Sequence, residues 1–451
     1  MVKQLYDPHM FNYMWESIVP DDNFIVGTYY LEDTVDAVDA DFIDHLEQVQ
    51  RLALEGSTAS WMDVSEETPE LREKLSSKVL GYYEIPAPHG TKKAVIQMGF
   101  STAAWDTNTN VPMLLLSIAG NCFAFPTSMR LLDIYIPKKL AERFQGPKFG
   151  VPGIREMLGV YDRPLVLHII KPKMGMTPEE TAAQVYQTAL GGADLCKDDE
   201  MCTELDNCPF DARLEKVLRA IDEAQQKTGR KMLYMVSITD EVDRVLEKAR
   251  RACRDGASGL LLAYSAGPSM LRVVAEDKQV TSPVLLHVSH MLALLPTINF
   301  PVLAKICRLC GADMMLTPGI WSSIPVASME ECYRTAQTML APFYHIKPTW
   351  PMPGAGVHPG SVEPMLAEHG IDMIFMAGGG MLGHPMGYTA GAMAFRQAID
   401  AALAGVPLPV AAKDLPELRV ALETWGYRKR PHTRWGYLNR EFHPKFGPKN
   451  L

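Results

Sequence analysis

Residues 165–200 read "LVLHIIKPKMGMTPEETAAQVYQTALGGADLCKDDE". "LVLHII" (165–170) is a continuous apolar run, as expected for a strand buried on both faces of a parallel sheet. In "TPEETAAQVYQTALGG", Thr177 can cap a helix, Pro178 takes the first helical position, and Glu180 completes a capping box. Gly191 and Gly192 end that helix, and "ADLCK" is the next strand. This strand–helix–strand alternation then repeats. Further strands are expected at 232–238, 259–263, 284–288, 313–317, about 346–350 and 373–377, which makes eight. Segments of helical period separate them, such as "DEVDRVLEKARRACRDG" and "SMEECYRTAQTMLA". Eight βα units in succession predict a (β/α)8 TIM barrel rather than an open doubly wound sheet. The units share no sequence, so they are not a repeat family.

Upstream the alternation is irregular. "NFIVGTYYLE" (23–32) and "KKAVIQMGF" (92–100) read as strands, and "DADFIDHLEQVQRLALEG" (39–56) as an amphipathic helix with Asp39 or Asp41 near its start. They predict an α+β domain with an antiparallel sheet. Domains are thus expected at 1–145 for the N-terminal α+β part, 146–420 for the barrel, and 421–451 for a basic, aromatic, irregular extension. A net charge of −9 argues against non-specific nucleic-acid binding, which needs basic surface. No apolar run of about 18 residues is present, so no membrane helix is expected. The N-terminus lacks a signal-peptide core, so a cytoplasmic protein is expected. Eight cysteines scattered over 451 residues fit reduced thiols better than a disulfide framework. Cys307 and Cys310 are spaced C-x-x-C but have no second ligand pair. They fall in "FPVLAKICRLCGAD", an amphipathic helix whose buried face suits small thiols.

In a TIM barrel, chemistry gathers where strands end and βα loops begin. Lys171 and Lys173 follow the first strand, and Lys197, Asp199 and Glu200 the second. His287 and His290 end the fifth, and "MAGGGMLGHPMG" (376–387) ends the eighth. A solvated loop of mixed charge explains one such cluster but not four at one rim. The strand period of two puts Lys197 and Asp199 on one face. Two carboxylates there suit a hard divalent cation. An ammonium cannot ligate a metal, but carbamylation by CO2 would make Lys197 a third anionic oxygen ligand. Gly378, Gly379 and Gly380 precede a helix and would let backbone N–H groups approach a phosphate.

Taken together, "KPKMG", "GGADLCKDDE" and "GGGMLGHPMGYTAGA" resemble the RuBisCO large-subunit superfamily, in the same order over about residues 20–405. The resemblance implies an N-terminal α+β, ferredoxin-like domain before the barrel. It also implies a head-to-tail homodimer with sites shared between subunits, capable of building higher oligomers. Carried over by position, Lys197 matches the carbamylated lysine, and Asp199 and Glu200 match the other Mg2+ ligands. Lys171 matches the lysine that moves the substrate proton, with Lys173 its neighbour and His287 a further catalytic candidate. "LEGSTASW" and "SIAGNCFAF" resemble segments lent by the partner subunit, supplying Glu55, Ser60 (usually threonine), Trp61 and Asn121. Ser60, Trp61, Gly356, Gly378 and Gly379 match one phosphate site.

The departures bear on function. In carbon-fixing members the loop after strand six carries a lysine, whereas "TPGIWSSIP" (317–325) has none. The second phosphate site normally uses an arginine, a histidine and a serine, and those positions hold His290, Leu316 and Gly354. A histidine at strand five becomes Ser289. The chain therefore resembles the non-fixing RuBisCO-like proteins (form IV). Methionine-salvage enolases differ at "KPK", so that subgroup fits less well. The expected function is Mg2+-dependent enolisation, by isomerisation or decarboxylation, of a singly phosphorylated keto sugar or keto-sugar acid. A non-catalytic or regulatory scaffold and a true carboxylase are the alternatives.

Overall fold

A computed structural model of the chain describes residues 23–34, 42–58, 64–88, 90–124, 128–319, 321 and 327–427. Contacts separate them into two compact units. One holds the residues up to Gln145 with Leu292–Ile306, the other Gly146–Met291 and the residues from Cys307 onward.

In the first unit, β1 (Phe24–Thr34), β2 (Lys78–Ile85), β3 (Thr91–Ser101) and β4 (Ser128–Tyr135) form an antiparallel sheet in the order β2-β3-β1-β4. Helices Phe42–Glu55 and Pro69–Leu75 lie between β1 and β2 in the chain, and helix Val111–Ala119 between β3 and β4. This is the ferredoxin-like arrangement. The two strands expected from sequence, β1 and β3, are the central ones. Both missed strands are edges, and the second half of β2 is partly or fully exposed, so its apolar pattern is weak. Ile25, Val26, Tyr29 and Leu31 of β1 are buried. The Tyr29 hydroxyl donates to Ile118 O at 2.7 Å, tying the sheet to helix Val111–Ala119. The Asn110 side chain caps that helix by accepting from Met113 N at 2.9 Å.

In the second unit eight parallel strands follow one another: β5 (Leu165–Ile169), β6 (Leu195–Lys197), β7 (Leu233–Ser237), β8 (Gly259–Ala263), β9 (Val284–His287), β10 (Met314–Pro318), β11 (Trp350–Gly354) and β12 (Ile374–Ala377). Their order is β11-β10-β9-β8-β7-β6-β5-β12, and β11 packs on β12 to close the barrel. Helix Pro178–Leu190 begins with the capping box read from the sequence: Thr177 Oγ1 accepts from Glu180 N, and Glu180 Oε2 from Thr177 N at 2.8 Å. Gly191 ends it where a Cβ would lie 2.3 Å from Thr389 O, so only glycine fits.

Alternate residues point into the barrel. Leu165, Leu167, Leu195, Leu233, Met235, Leu261, Leu285, Met314, Trp350, Met352, Ile374 and Met376 form one buried cluster. Val151, Ile154 and Leu158 of helix Gly150–Leu158 join it. Asp313, just before β10, accepts the N–H groups of Phe149 and Gly150 at 2.7 and 2.8 Å and so holds the start of that helix. The same alternation puts Lys197, His287, Gly354 and Met376 in the last inward positions of their strands, and Leu316 in the inward position before the end of β10.

The seventh barrel strand begins at Trp350 rather than near residue 346. "WPMPG" carries Pro351 and Pro353, which argue against a central strand. Trp350 N donates to Asp313 O at 2.9 Å, so Trp350, Met352 and Gly354 face β10 with their N–H groups. The two prolines turn their missing donors toward β12. Among the described residues no ladder joins β11 to β12.

Asp198 points the other way from Lys197, into the layer between sheet and helices. It is fully buried and accepts from Arg213 Nε at 3.1 Å, Tyr234 Oη at 2.6 Å and Ser237 N at 2.8 Å. Arg213, on helix Phe210–Thr228, also donates to Cys208 O at 2.7 Å and Thr203 O at 3.2 Å. One ion pair thereby ties β6, β7 and the loop after Glu200. Removing one partner of a buried pair strands the other charge, at a cost of about 3–5 kcal/mol. Asp198→Ala is expected to lower the urea midpoint of the barrel accordingly, with Asp198→Asn less damaging. A midpoint unchanged in Asp198→Ala would refute the anchoring role.

Candidate active site

The ladder between β5 and β6 sets the site. Ile170 N donates to Lys197 O at 3.1 Å, so Lys171 leaves β5 just as Lys197 ends β6. The chain bends away at once through a cis Lys171–Pro172 bond. Lys171 Nζ bonds Asp199 Oδ2, and Lys173 Nζ bonds Glu200 Oε1 at 2.9 Å. Lys197 is fully buried, donates to Asp198 O at 2.9 Å, and stands 3.9 Å from Glu200 Oε2. His287 Nε2, from the end of β9, lies 3.4 Å from the same Glu200 oxygen. Lys171, Lys173, Lys197, Asp199, Glu200 and His287 therefore form one cluster.

Their proton affinities follow from this setting. Burial pulls the Lys197 amine down to about 8, although Glu200 and Asp199 work against the drop. Burial, reinforced by Lys197, pushes His287 down to about 3, so its ring is neutral. Ser289 N–H reaches His287 Nδ1 at 3.3 Å, which makes Nδ1 an acceptor and leaves the proton on Nε2, toward Glu200. Burial opposes charge on Glu200, but His287, Lys173 and Lys197 outweigh it and hold its carboxyl well below the usual range. The hydrogen bond it donates to Glu200 raises Lys173.

Among the described residues no group of three His, Cys, Asp or Glu side chains is arranged to hold a metal. Asp199 and Glu200 are two carboxylates, and a third anionic ligand exists only if Lys197 is modified. Lys197 fits that requirement: it is buried, and its nearest carboxylate oxygen in the ion-pair network is at 3.9 Å. Cys307 and Cys310 are both buried and free, as the helical reading expects.

The glycine side of the mouth lies at the ends of β11 and β12. A Cβ on Gly378 would sit 3.5 Å from Lys171 Cε, so the lysine stem runs over that glycine. Gly379 has open space around it and is exposed, and Gly356 adopts φ +92° in the turn after β11. The adjoining strip, from β10 to β12, differs. A Cβ on Gly354 would lie 2.3 Å from Met376 Cε and 3.0 Å from Leu316 Cδ1. Thioether and leucine methyl groups thus occupy the space a larger side chain at 354 would need. Met376 escaped the sequence reading, although its two-residue spacing from Ile374 marks it as inward. His290 is exposed, with φ +74°.

Glu55 and Asn121 belong to the first unit. There the helix ending at Glu55 packs on the turn Asn121–Ala124, and Glu55 contributes to the rise of the buried Cys122 thiol to about 11, which burial dominates. Ser60, Trp61 and the tail from residue 428 lie outside the described residues, as do 320 and 322–326 of the loop after β10. No described helix is long and apolar enough to cross a membrane.

Residues 150–425 match the ribulose bisphosphate carboxylase large chain, catalytic domain, and residues 12–140 match the N-terminal domain of the same chain. A ribulose bisphosphate carboxylase-like protein of Archaeoglobus fulgidus is 39% identical over 408 residues, covering 86% of this chain and 90% of that protein. A 2,3-diketo-5-methylthiopentyl-1-phosphate enolase of Bacillus licheniformis is 34% identical over 414 residues, covering 89% of this chain and 98% of the enolase. The octameric ribulose-1,5-bisphosphate carboxylase/oxygenase of Pyrococcus horikoshii, solved with sulfate, superposes with a TM-score of 0.81 at 31% identity, covering 93% of this chain and 97% of that one. Enolase and carboxylase are thus about equally similar overall. With both halves matched in order and the fold shared throughout, the chain belongs to the RuBisCO large-chain superfamily.

Proposed function

We propose that this chain removes a proton, or a carboxylate, beside the carbonyl of a singly phosphorylated keto sugar or keto-sugar acid. The observation carrying the reading is the convergence of Lys171, Lys173 and Lys197 on Asp199 and Glu200 at one barrel mouth. Asp198 is spent on Arg213, so three amines face two carboxylates. Adding CO2 to Lys197 would exchange a cation for an anion and reverse that balance. Lys197 as carbamate, Asp199 and Glu200 would then hold Mg2+ through oxygen. Magnesium there supplies Lewis-acid polarisation of a substrate carbonyl.

The remaining steps belong to the chain's own side chains. Lys171, next to Asp199 and over Gly378, is placed to take or return the substrate proton. Lys173 and the Nε2–H of His287 steady Glu200. Gly356, Gly378 and Gly379 offer approachable backbone to one phosphate. At the positions that match the second phosphate site, Leu316 and Gly354 give no side-chain donor, and His290 is the polar side chain left among them. The Bacillus licheniformis enolase is named for a substrate with one phosphate, which fits this division. Glu55, Ser60, Trp61 and Asn121 would complete the site of a second copy in a homodimer. Enolisation and decarboxylation lead to the same enediolate and use the same groups.

With Mg2+ and bicarbonate, solvent deuterium is expected to enter a keto-sugar monophosphate from a panel that includes 2,3-diketo-5-methylthiopentyl 1-phosphate. Lys197→Ala is expected to lower that rate by roughly 100-fold or more while remaining folded. Absence of label across the panel would favour a non-catalytic scaffold, and full activity in CO2-free buffer would exclude the carbamate.

Ribulose 1,5-bisphosphate is not expected to be carboxylated. "TPGIWSSIP" supplies no cation for CO2, and each lost charge-assisted phosphate contact costs roughly 1.5–3 kcal/mol. Labelled bicarbonate appearing in 3-phosphoglycerate at about one turnover per second, within the ordinary enzymatic range, would overturn this.

Mixing Asn121→Ala with Lys171→Ala protein should restore part of the lost exchange, because one hybrid site carries neither change. No recovery after verified subunit exchange would count against shared sites.

A further inference from the structure

Lys171 lies just past the last ladder bond of β5, in a bend with no strand neighbour for its own backbone. Both of its main-chain groups are nevertheless bonded, and by one side chain. Lys171 N donates to Gln184 Oε1 at 3.1 Å, and Gln184 Nε2 donates to Lys171 O at 2.7 Å. A primary amide so placed imitates a strand partner, meeting the N–H and C=O of a single residue at once. Gln184 comes from the inner face of helix Pro178–Leu190 and is 5% exposed.

Gln184 is itself held. Its Oε1 lies 3.1 Å from His168 Nε2, and His168 Nδ1 lies 3.0 Å from Thr188 Oγ1. With a neutral His168 ring the donors and acceptors resolve in one way, although the Thr188 hydroxyl also reaches Val185 O at 3.0 Å. Lys171 N–H must donate, so the Gln184 oxygen accepts. That oxygen's second partner is then His168 Nε2–H, and Nδ1 accepts from the Thr188 hydroxyl. Burial pulls His168 down to about 4, consistent with a neutral ring. His168 and Thr188 are fully buried. Three buried polar side chains are spent on the backbone of one bend residue, although an apolar contact would serve packing alone.

We propose that Gln184, braced by His168 and Thr188, is a positioning residue that fixes the Lys171 backbone so that its ammonium meets Asp199 at the barrel mouth. The inference rests on the reading of Lys171 as the proton-moving group. Gln184→Met keeps the volume and loses both bonds. Competitive labelling with acetic anhydride, read peptide by peptide, should show Lys171 of Gln184→Met reacting about fivefold faster as its contact with Asp199 loosens, while Lys173 keeps its wild-type rate. A general loosening would raise both lysines together, and unchanged labelling of Lys171 would also overturn the proposal. Deuterium exchange on the monophosphate that wild type accepts should show kcat down about tenfold or more with KM nearly constant, as expected for misplacement of a reacting group. If Lys171→Ala loses exchange but Gln184→Met does not, the positioning role fails and the Lys171 reading stands. If Lys171→Ala retains exchange, the Lys171 reading fails and this inference with it.

Discussion

Along Lys197–Asp198–Asp199 the backbone alternates sides, and each side has its own charge compensation. Asp198 faces the helices and is neutralised by Arg213, Tyr234 and a main-chain N–H. Lys197 and Asp199 face the mouth, where the other lysines and Glu200 gather. Four consecutive ionisable residues at the end of a buried strand would be prohibitive if all fell on one side. Divided between two layers, one pair locks the sheet to a helix and the others gather at the mouth.

The barrel was legible because its strands are buried on both faces and therefore read as unbroken apolar runs, from "LVLHI" to "IFMA". Register and boundary were harder where composition departs from that rule. "WPMPG" is a strand despite two prolines because one of its edges makes no ladder. The outer strands of the N-terminal sheet escaped because each is half solvated. Of the site, the charged rim was visible since lysine and glutamate at strand ends contradict an apolar run. The roles of Asp198, Ser289 and Gln184 were not visible. Each depends on a partner distant in sequence or on a hydrogen-bond direction, and residue type encodes neither.

Two adjoining strips of the mouth are built from different materials. Near Gly378 and Gly379 the walls are backbone and a lysine stem, which suit an anion. Near Gly354 they are the Leu316 methyls and the Met376 thioether, which suit nothing charged. Overall identity places carboxylases and enolases at similar distance from this chain, whereas this local contrast separates what each strip can hold.

The unlaced seam between β11 and β12 bears on this contrast. Strands joined by a ladder are held at a fixed spacing of about 4.8 Å, whatever side chains they carry. Where Pro351 and Pro353 abolish the ladder, the width of the gap is set by the bulk of Met352, Met376 and their neighbours. The glycines proposed to receive the phosphate stand at the top of these two strands. In this one sector of the barrel, a change of a single inward side chain can alter the span of the pocket without breaking a main-chain hydrogen bond. Substrate size can therefore drift here by small steps that leave the fold intact.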